Sequence, residues 1–101
     1  MRWPLLRVAV AERSMEPTLR PGDWLLVLRT ARVRPGQLVV ARHPHRPTLL
    51  LVKRALRREP GGWWLQSEGP NGFAADSRSF GPVPPALICG RVLFRYRRLR
   101  A

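Results

Sequence analysis

Residues 48–56 read Thr-Leu-Leu-Leu-Val-Lys-Arg-Ala-Leu, and this stretch predicts the fold class of the chain. Six of its nine residues are apolar, and they fall on both faces of an extended strand. No window of twelve residues or more shows a 3.6-residue period free of proline and glycine. Short strands, and not helices, are therefore expected along the chain.

Similar runs on both sides of this stretch predict further strands. Apolar, often β-branched segments give the expected strands 5–10, 24–29, 37–42, 62–67 and 88–97. Three Pro-Gly turns, at 20–23, 34–37 and 59–62, suit type II geometry, because glycine takes the required positive φ at little cost. A long loop is expected over 70–86. The sequence thus predicts one all-β domain, residues 1–101, of short, mostly antiparallel strands folded into a compact barrel or sandwich.

The chain carries a strong positive charge on a composition that is normal for a folded protein. Its 101 residues are 45% hydrophobic, which excludes a disordered basic tail, and the formal net charge is +13. Such a charge fits a nucleic acid, an anionic membrane surface or an acidic partner, or only an arginine-rich surface. The basic and apolar alternation of 91–100 fits a nucleic-acid surface or, more usually, a charged edge strand. Because no DNA-binding motif accompanies it, no specific nucleic-acid partner is expected.

The apolar runs are far shorter than the ~20 residues that a membrane-spanning helix needs. Arg7, and then Glu12 and Arg13, interrupt the N-terminal segment before a signal-peptide core could form. The single cysteine, Cys89, permits no disulfide within the chain. We therefore expect a cytoplasmic protein without a transmembrane anchor, whose basic surface can contact a membrane peripherally.

Lys53 is the only lysine of the chain, which has 18 arginines. A lysine can lose its proton when it is desolvated and then act as a general base, whereas arginine stays protonated. Lys53 lies in phase with Leu49 and Leu51 on the predicted strand, where burial would lower the pKa of its amine. Two alternatives stay open from the residues alone. A GC-rich genome can have replaced the other lysines, or the strand has a polar face along which the side chain reaches water.

A base needs a hydroxyl to activate, and Ser14 has the most distinctive surroundings among the serines of the chain. It opens the segment Ser14-Met15-Glu16-Pro17-Thr18-Leu19, which is followed closely by Gly22-Asp23. A serine before a proline-rich turn is usually a simple turn residue. Here the whole segment favours a nucleophile paired with Lys53, since Ser-Lys pairs are a recognised solution for activating serine.

Three blocks of the sequence together resemble the signal peptidase I (S26) family of Ser/Lys proteases. The blocks are Ser14 to Leu19 with Pro21-Gly22-Asp23, then Val52-Lys53-Arg54, then Asp76 to Pro84. They occur in the order of that family, and Gly90-Arg91-Val92 resembles its closing strand. The resemblance therefore covers nearly the whole chain.

Within this family the chain looks most like the nickel-type superoxide dismutase maturation proteases. The similarity lies in the short length and in segments such as Arg42-His43-Pro44 and Gly62-Trp63-Trp64. Those enzymes are thought to remove a propeptide so that the new N-terminus can bind nickel. The resemblance thus implies a protein substrate with an N-terminal propeptide, possibly that of nickel superoxide dismutase, and no cofactor.

The resemblance also implies a role for each matching position. Ser14 would be the acyl nucleophile and would offer its backbone N–H to the oxyanion, and Lys53 would be the general base. The other positions would support the site (Arg54, Asp76, Ser77 and Arg78) or shape the substrate groove (Met15 and Pro17).

The sequence departs from the family pattern at three places. In the third block, Glu68-Gly69-Pro70-Asn71-Gly72 stands where the family usually has Gly-Asp-Asn. Glu12 stands where many members carry a serine or threonine that completes the oxyanion hole, and its carboxylate would repel an oxyanion. Ala74 stands where a serine often contacts the lysine. The pair His43 and His45 offers too few ligands for a metal, which needs three or four, so no metal site is expected.

Together these observations predict a Ser/Lys serine endopeptidase that removes an N-terminal propeptide or signal-like extension from another protein. Two alternatives are kept. One is a general soluble signal-peptidase-like processing protease, and the other is a catalytically impaired basic binding module, favoured by Glu12 and the altered third block. A self-cleaving repressor of the related Ser/Lys class is not expected, because it would need a DNA-binding domain and a scissile linker before Ser14, which 13 residues do not accommodate.

Overall fold

The computed structural model describes residues 3–70 and 75–97. Six strands form one sheet in which every neighbouring pair is antiparallel, in the order β1-β2-β6-β3-β4-β5. The strands are β1 (Leu5–Ala9), β2 (Asp23–Leu28), β3 (Leu38–His43), β4 (Arg46–Glu59), β5 (Gly62–Gln66) and β6 (Ile88–Arg97). The predicted all-β class is confirmed.

The sheet is not closed into a barrel, so the closed form of the expected barrel or sandwich is not what the chain adopts. Its terminal strands, β1 and β5, share no ladder in the described part of the chain. β4 pairs with β3 through Arg46 to Arg54 but with β5 only from Arg54 onward. The β5 side of residues 46–53 is therefore left without a strand partner, and β1 lies across a groove from this open side.

The Pro-Gly turns fix where the strands begin and end. Gly22, Gly36 and Gly61 have φ values of +93°, +92° and +95°, as the type II prediction requires. The N–H of Asp23 donates to the Arg20 carbonyl at 3.0 Å and closes the first of these turns. The strand boundaries predicted from the turns consequently agree with the structure to within one residue for β1, β2, β3 and β5.

Two strands differ from expectation. β4 is longer than the predicted 48–56, because it continues into tight hairpins with β3 at one end and with β5 at the other. β6 is not an edge strand, because it lies between β2 and β3. Its residues 92–97 pair with β2 but not with β3. A glycine permits this position, since a Cβ at Gly90 would stand 2.3 Å from the Leu28 carbonyl oxygen.

Side chains of the sheet pack into two hydrophobic clusters. Alternate residues of β3 divide between them: Val40 joins the cluster with Leu25 and Val27, whereas Val39 joins the cluster with Trp63. The first cluster also takes Met15 and Leu19 from the β1–β2 connection. The second takes Ala41, Ala55, Leu65, Val83 and Ile88. Because the first cluster holds Met15, the segment that carries Ser14 is fixed to the core.

The connection from β5 to β6 contains short helices where a loop alone was expected. Ser77–Phe80 forms a single-turn helix, α1, and Pro85–Leu87 forms a 3₁₀ turn. The carboxylate of Asp76 caps α1 by accepting a hydrogen bond from the Arg78 N–H at 2.9 Å. This cap fixes the Asp76 side chain beside the strand that carries Lys53.

Candidate active site

Ser14 lies in the connection between β1 and β2 and is held there by its own backbone. Its carbonyl oxygen accepts hydrogen bonds from the N–H groups of Glu68 and Gly69, at 3.1 and 2.7 Å. The next residue, Met15, is only 2% exposed and anchors the segment in the first hydrophobic cluster. The serine hydroxyl is therefore presented by a segment fixed at two points.

Lys53 approaches Ser14 from β4. Its side chain is 2% exposed, and its Nζ lies 2.6 Å from Ser14 Oγ, within hydrogen-bonding distance. The predicted burial of this lysine is confirmed, but the strand phase explains only part of it. Leu51 on the same face is buried, whereas Leu49 is 39% exposed. The remaining shielding comes from outside β4, where the Ser14 segment lies over the lysine.

Burial lowers the pKa of the Lys53 amine below its ordinary value, because the ammonium form loses more hydration than the neutral amine. The carboxylates of Asp76 and Glu12 oppose this shift, and the charge of Arg78 adds to it. Desolvation is the largest of these effects, and the net direction is downward. The amine is thus easier to deprotonate than that of an exposed lysine.

Asp76 and Arg78 form an ion pair near the lysine. The Arg78 guanidinium donates to the Asp76 carboxylate at 2.6 Å, and the N–H of Ser67 donates to the same carboxylate at 2.9 Å. Burial alone would raise the pKa of Asp76, but the hydrogen bonds from the Arg78 side chain, Ser67 and the Arg78 backbone outweigh it and lower the pKa. Asp76 therefore keeps its negative charge although it is fully buried.

The other two predicted supporting residues contact neither Ser14 Oγ nor Lys53 Nζ by a hydrogen bond. Ser77 Oγ accepts from the N–H of Leu65 at 2.8 Å and so ties α1 to β5. The Arg54 guanidinium donates to the Gly36 carbonyl and to the Glu68 carboxylate, each at 3.0 Å. Through Glu68, Arg54 stabilises the segment whose N–H groups hold Ser14.

A groove of about 520 Å³ leads to the hydroxyl and the amine. Consecutive residues of β1 and of the open half of β4 line its two sides, and Ser14 with Lys53 lies between them. Met15, predicted to shape a substrate groove, is among the lining residues. Pro17 is not: it is exposed and follows a cis peptide bond. Most of the lining surface is apolar, which suits uncharged side chains.

The backbone N–H of Ser14 donates no hydrogen bond within the described residues. It is therefore available to a negatively charged oxygen next to the serine hydroxyl. Glu12, two residues earlier, also lines the groove. Ala74, at another position that departs from the family pattern, lies outside the described residues.

Sequence reasoning missed Gly69, which lies directly against the serine segment. A Cβ at Gly69 would stand 3.0 Å from the carbonyl oxygens of both Arg13 and Ser14. Glycine permits this close approach and with it the 2.7 Å hydrogen bond to Ser14. The only local signal was the Glu68-Gly69-Pro70 turn composition, which does not reveal a contact with a residue so distant in sequence.

No group of three or more His, Cys, Asp or Glu side chains that could hold a metal occurs in residues 3–70 and 75–97. His43, one of the two histidines considered for such a site, packs its ring against Phe80 with 4.7 Å between centroids. Within the same residues, no helix has the length and apolar character required to cross a membrane.

The arrangement brings together the parts that acyl transfer requires. A serine hydroxyl lies against an amine of lowered pKa in a largely apolar groove, and the backbone N–H of the same serine makes no hydrogen bond within the described residues. A neutral amine at 2.6 Å can accept the proton of the hydroxyl and so raise its nucleophilicity. Hydroxyl, base and oxyanion donor are the three groups of a serine-based acyl-transfer site.

Comparison with known proteins points in the same direction. Residues 4–81 match the family described as Peptidase S24-like. Mitochondrial inner membrane protease subunit 1 of Xenopus tropicalis is 33% identical over an alignment of 106 positions that covers 81% of this chain and 63% of the relative. Mitochondrial ATP-independent inner membrane protease subunit 1b of Arabidopsis thaliana is 34% identical over an alignment of 108 positions that covers 81% of this chain and 64% of the relative. The chain thus spans a little under two thirds of the length of these relatives.

Proposed function

Because the chain belongs to the Peptidase S24-like family, we propose that it is a serine endopeptidase in which Ser14 is the nucleophile and Lys53 the general base. The observation that carries the proposal is the 2.6 Å hydrogen bond between Ser14 Oγ and Lys53 Nζ inside the groove. The two residues are 39 positions apart, and the fold brings a buried amine against the serine hydroxyl in the groove, where the amine can act as its base.

The reaction begins when Ser14 Oγ attacks the carbonyl carbon of the peptide bond while Lys53 Nζ takes the hydroxyl proton. The negative charge that forms on the carbonyl oxygen is stabilised by the Ser14 backbone N–H. The Lys53 ammonium then gives its proton to the leaving amine as the C–N bond breaks, which leaves an ester on Ser14. Lys53, neutral again, takes a proton from the water that attacks the ester carbon. As the bond from that carbon to Ser14 Oγ breaks and the acid is released, the Lys53 ammonium returns the proton to Ser14 Oγ, which restores the free hydroxyl and the neutral amine.

The substrate that we propose is an extended N-terminal segment of another protein. The open half of β4 and the edge strand β1 lie on the two sides of the groove, and unpaired strand edges bind extended peptides through main-chain hydrogen bonds. The names of the relatives identify them as protease subunits. Resemblance within the family further suggests the propeptide of a nickel-type superoxide dismutase as the particular substrate.

The test is cleavage of a nickel superoxide dismutase precursor, with the new N-terminus identified by mass spectrometry. We expect one cut by the wild-type protein, and none by Ser14→Ala or Lys53→Arg. Undiminished cleavage by either variant would exclude the mechanism. A signal-peptide-bearing precursor serves as the second substrate. If only the signal-peptide-bearing precursor is cleaved, the protein is still a serine endopeptidase. Its proposed function is then the general removal of signal-like extensions and not the maturation of superoxide dismutase.

A further inference from the structure

Glu12 is the one carboxylate of the described chain that has no arginine partner. The chain has six acidic residues against a net charge of +13. Five of the six are within 4 Å of an arginine: the pairs are Glu16–Arg13, Asp23–Arg95, Glu59–Arg57, Glu68–Arg54 and Asp76–Arg78. In so basic a protein, an acid left without a counter-ion is the exception.

Glu12, the acid without an arginine partner, lies in the groove. Glu12 lines it together with Ser14 and Lys53, and its charge is close enough to raise the pKa of the Lys53 amine. The other charged residue of the lining is Arg7. Its guanidinium lies over the Trp24 ring, 6.0 Å from the ring centroid, and makes no ion pair with Glu12. Within residues 3–70 and 75–97, the groove therefore presents one negative charge without an ion-pair partner.

Glu12 also opposes the chemistry proposed for its neighbours. A general base must be neutral to take a proton, and a nearby carboxylate favours the ammonium form of Lys53. The same carboxylate would repel an oxyanion at Ser14. The exposed Glu12 carboxylate attracts a cationic group, and binding of such a group would neutralise the charge that causes both unfavourable effects.

We propose that Glu12 is a specificity residue that binds a cationic side chain of the substrate, arginine or lysine, close to the cleaved bond. This inference rests on the proposed function. Two residues of extended chain span ~7 Å. The cation therefore belongs to a substrate residue within about three positions of the bond that Ser14 attacks, since an arginine side chain reaches roughly the same distance again.

The experiment uses ten-residue peptides of alanine with arginine, glutamine or glutamate scanned across the three positions on each side of the central bond. Cleavage products are quantified by mass spectrometry. At one position or more, we expect arginine to raise kcat/KM about two- to fivefold over glutamine, the range of one exposed ion pair. The ratio of kcat/KM for the arginine peptide to that for the glutamine peptide should fall to about one in Glu12→Gln. Glu12→Arg should cleave the glutamate peptide best. Glu59→Gln, which alters a glutamate far along β4, should keep the wild-type ratio.

Comparing two peptides on one variant separates recognition from catalysis. A change in the pKa of Lys53 alters cleavage of every peptide alike, so it cancels in the ratio. An arginine preference that survives in Glu12→Gln, or no preference in the wild type, would overturn the inference.

Binding decides the question even where no peptide is cleaved. The same peptides, fluorescently labelled, are titrated into Ser14→Ala and into Ser14→Ala/Glu12→Gln, with anisotropy as the readout. Tighter binding of the arginine peptide to Ser14→Ala, weakened by salt and absent from the double variant, supports the role of Glu12. Equal or undetectable affinities overturn it. If the wild-type protein cleaves no peptide but Ser14→Ala still binds the arginine peptide more tightly through Glu12, the proposed catalysis is refuted. Glu12 then remains a recognition residue.

Discussion

The N–H of Gly69 donates a 2.7 Å hydrogen bond to the carbonyl of Ser14. This bond joins the segment after β5 to the segment before β2. It fixes the backbone of Ser14, whose hydroxyl contacts the Lys53 amine. No side chain could replace the glycine without contact, because its Cβ would stand 3.0 Å from two carbonyl oxygens. The position of Ser14 thus depends on a residue that takes no part in the chemistry.

Gly69→Ala is expected to lower kcat/KM about tenfold, because displacing a nucleophile by a fraction of an ångström misaligns it with its base. Gly61→Ala is the matched control. Gly61 has a φ of +95° at the β4–β5 hairpin, and a Cβ there would meet nothing within 4 Å. It should cost about 1 kcal/mol of stability and leave kcat/KM unchanged. Equal activity of the two variants would show that the Gly69 contact does not position Ser14.

Lys53→Met should raise the free energy of unfolding by about 1 kcal/mol at neutral pH while it abolishes cleavage. The replacement removes a buried amine, and the partly exposed Ser14 hydroxyl can then bond to water. Urea denaturation of wild type, Lys53→Met and Lys53→Arg measures the effect. Lys53→Arg should be the least stable, since its charge cannot be lost on burial. A less stable Lys53→Met would contradict the desolvation of Lys53.

The pH dependence of the same experiment has a defined sign. The pKa of Lys53 is lower in the folded chain than its ordinary 10.5. Between the folded value and 10.5 the unfolded chain binds the extra proton, so this group makes stability rise with pH across that window. The stability advantage of Lys53→Met should therefore shrink as the pH is raised. A constant advantage would mean that the amine titrates alike in both states.

Cleavage should increase with pH along an acid limb whose apparent pKa lies below 10.5 and reports the deprotonation of Lys53. Glu12→Gln should move this limb to lower pH, because the Glu12 carboxylate raises the pKa of the lysine. Glu59→Gln serves as the control and should leave the limb in place. The check is the pH profile of kcat/KM for an uncharged peptide. A shift of the limb to higher pH would contradict the electrostatic arrangement.

Asp76→Asn is expected to cost about 2 kcal/mol of stability, since it weakens the bonds from Arg78 and Ser67 and the cap of α1. The pKa of Asp76 is lowered by folding, so its contribution is present above the unfolded pKa and is lost as the pH falls through the folded one. As the pH is lowered, the free energy of unfolding should therefore fall less steeply in Asp76→Asn than in the wild type. Parallel curves would show that Asp76 does not stay ionised.

Much of this arrangement could be predicted from local signals. The Pro-Gly turns gave the strand boundaries, because a positive φ at glycine is decided within four residues. The phase of Lys53 on β4 indicated a buried amine, and the segment beginning at Ser14 indicated its partner. Their 2.6 Å contact agrees with that expectation, whereas their catalytic roles stay predictions.

The remaining features depend on contacts between distant segments, which turn and strand patterns do not encode. The open sheet follows from where β5 stops pairing with β4, and the interior position of β6 from the close packing at Gly90. Neither the Gly69 contact nor the isolation of Glu12 can be seen without coordinates. The cytoplasmic location and the superoxide dismutase substrate likewise stay predictions.

The central claim, that Lys53 is a base held ready by desolvation, can be measured directly because the chain has a single lysine. Protein labelled with ¹³C-lysine gives one side-chain Cε resonance, whose shift against pH reports the pKa of Lys53 without assignment. We predict a midpoint clearly below that of the same protein unfolded in urea, and a further decrease in Glu12→Gln. A folded-state midpoint equal to or above the unfolded value would contradict the account.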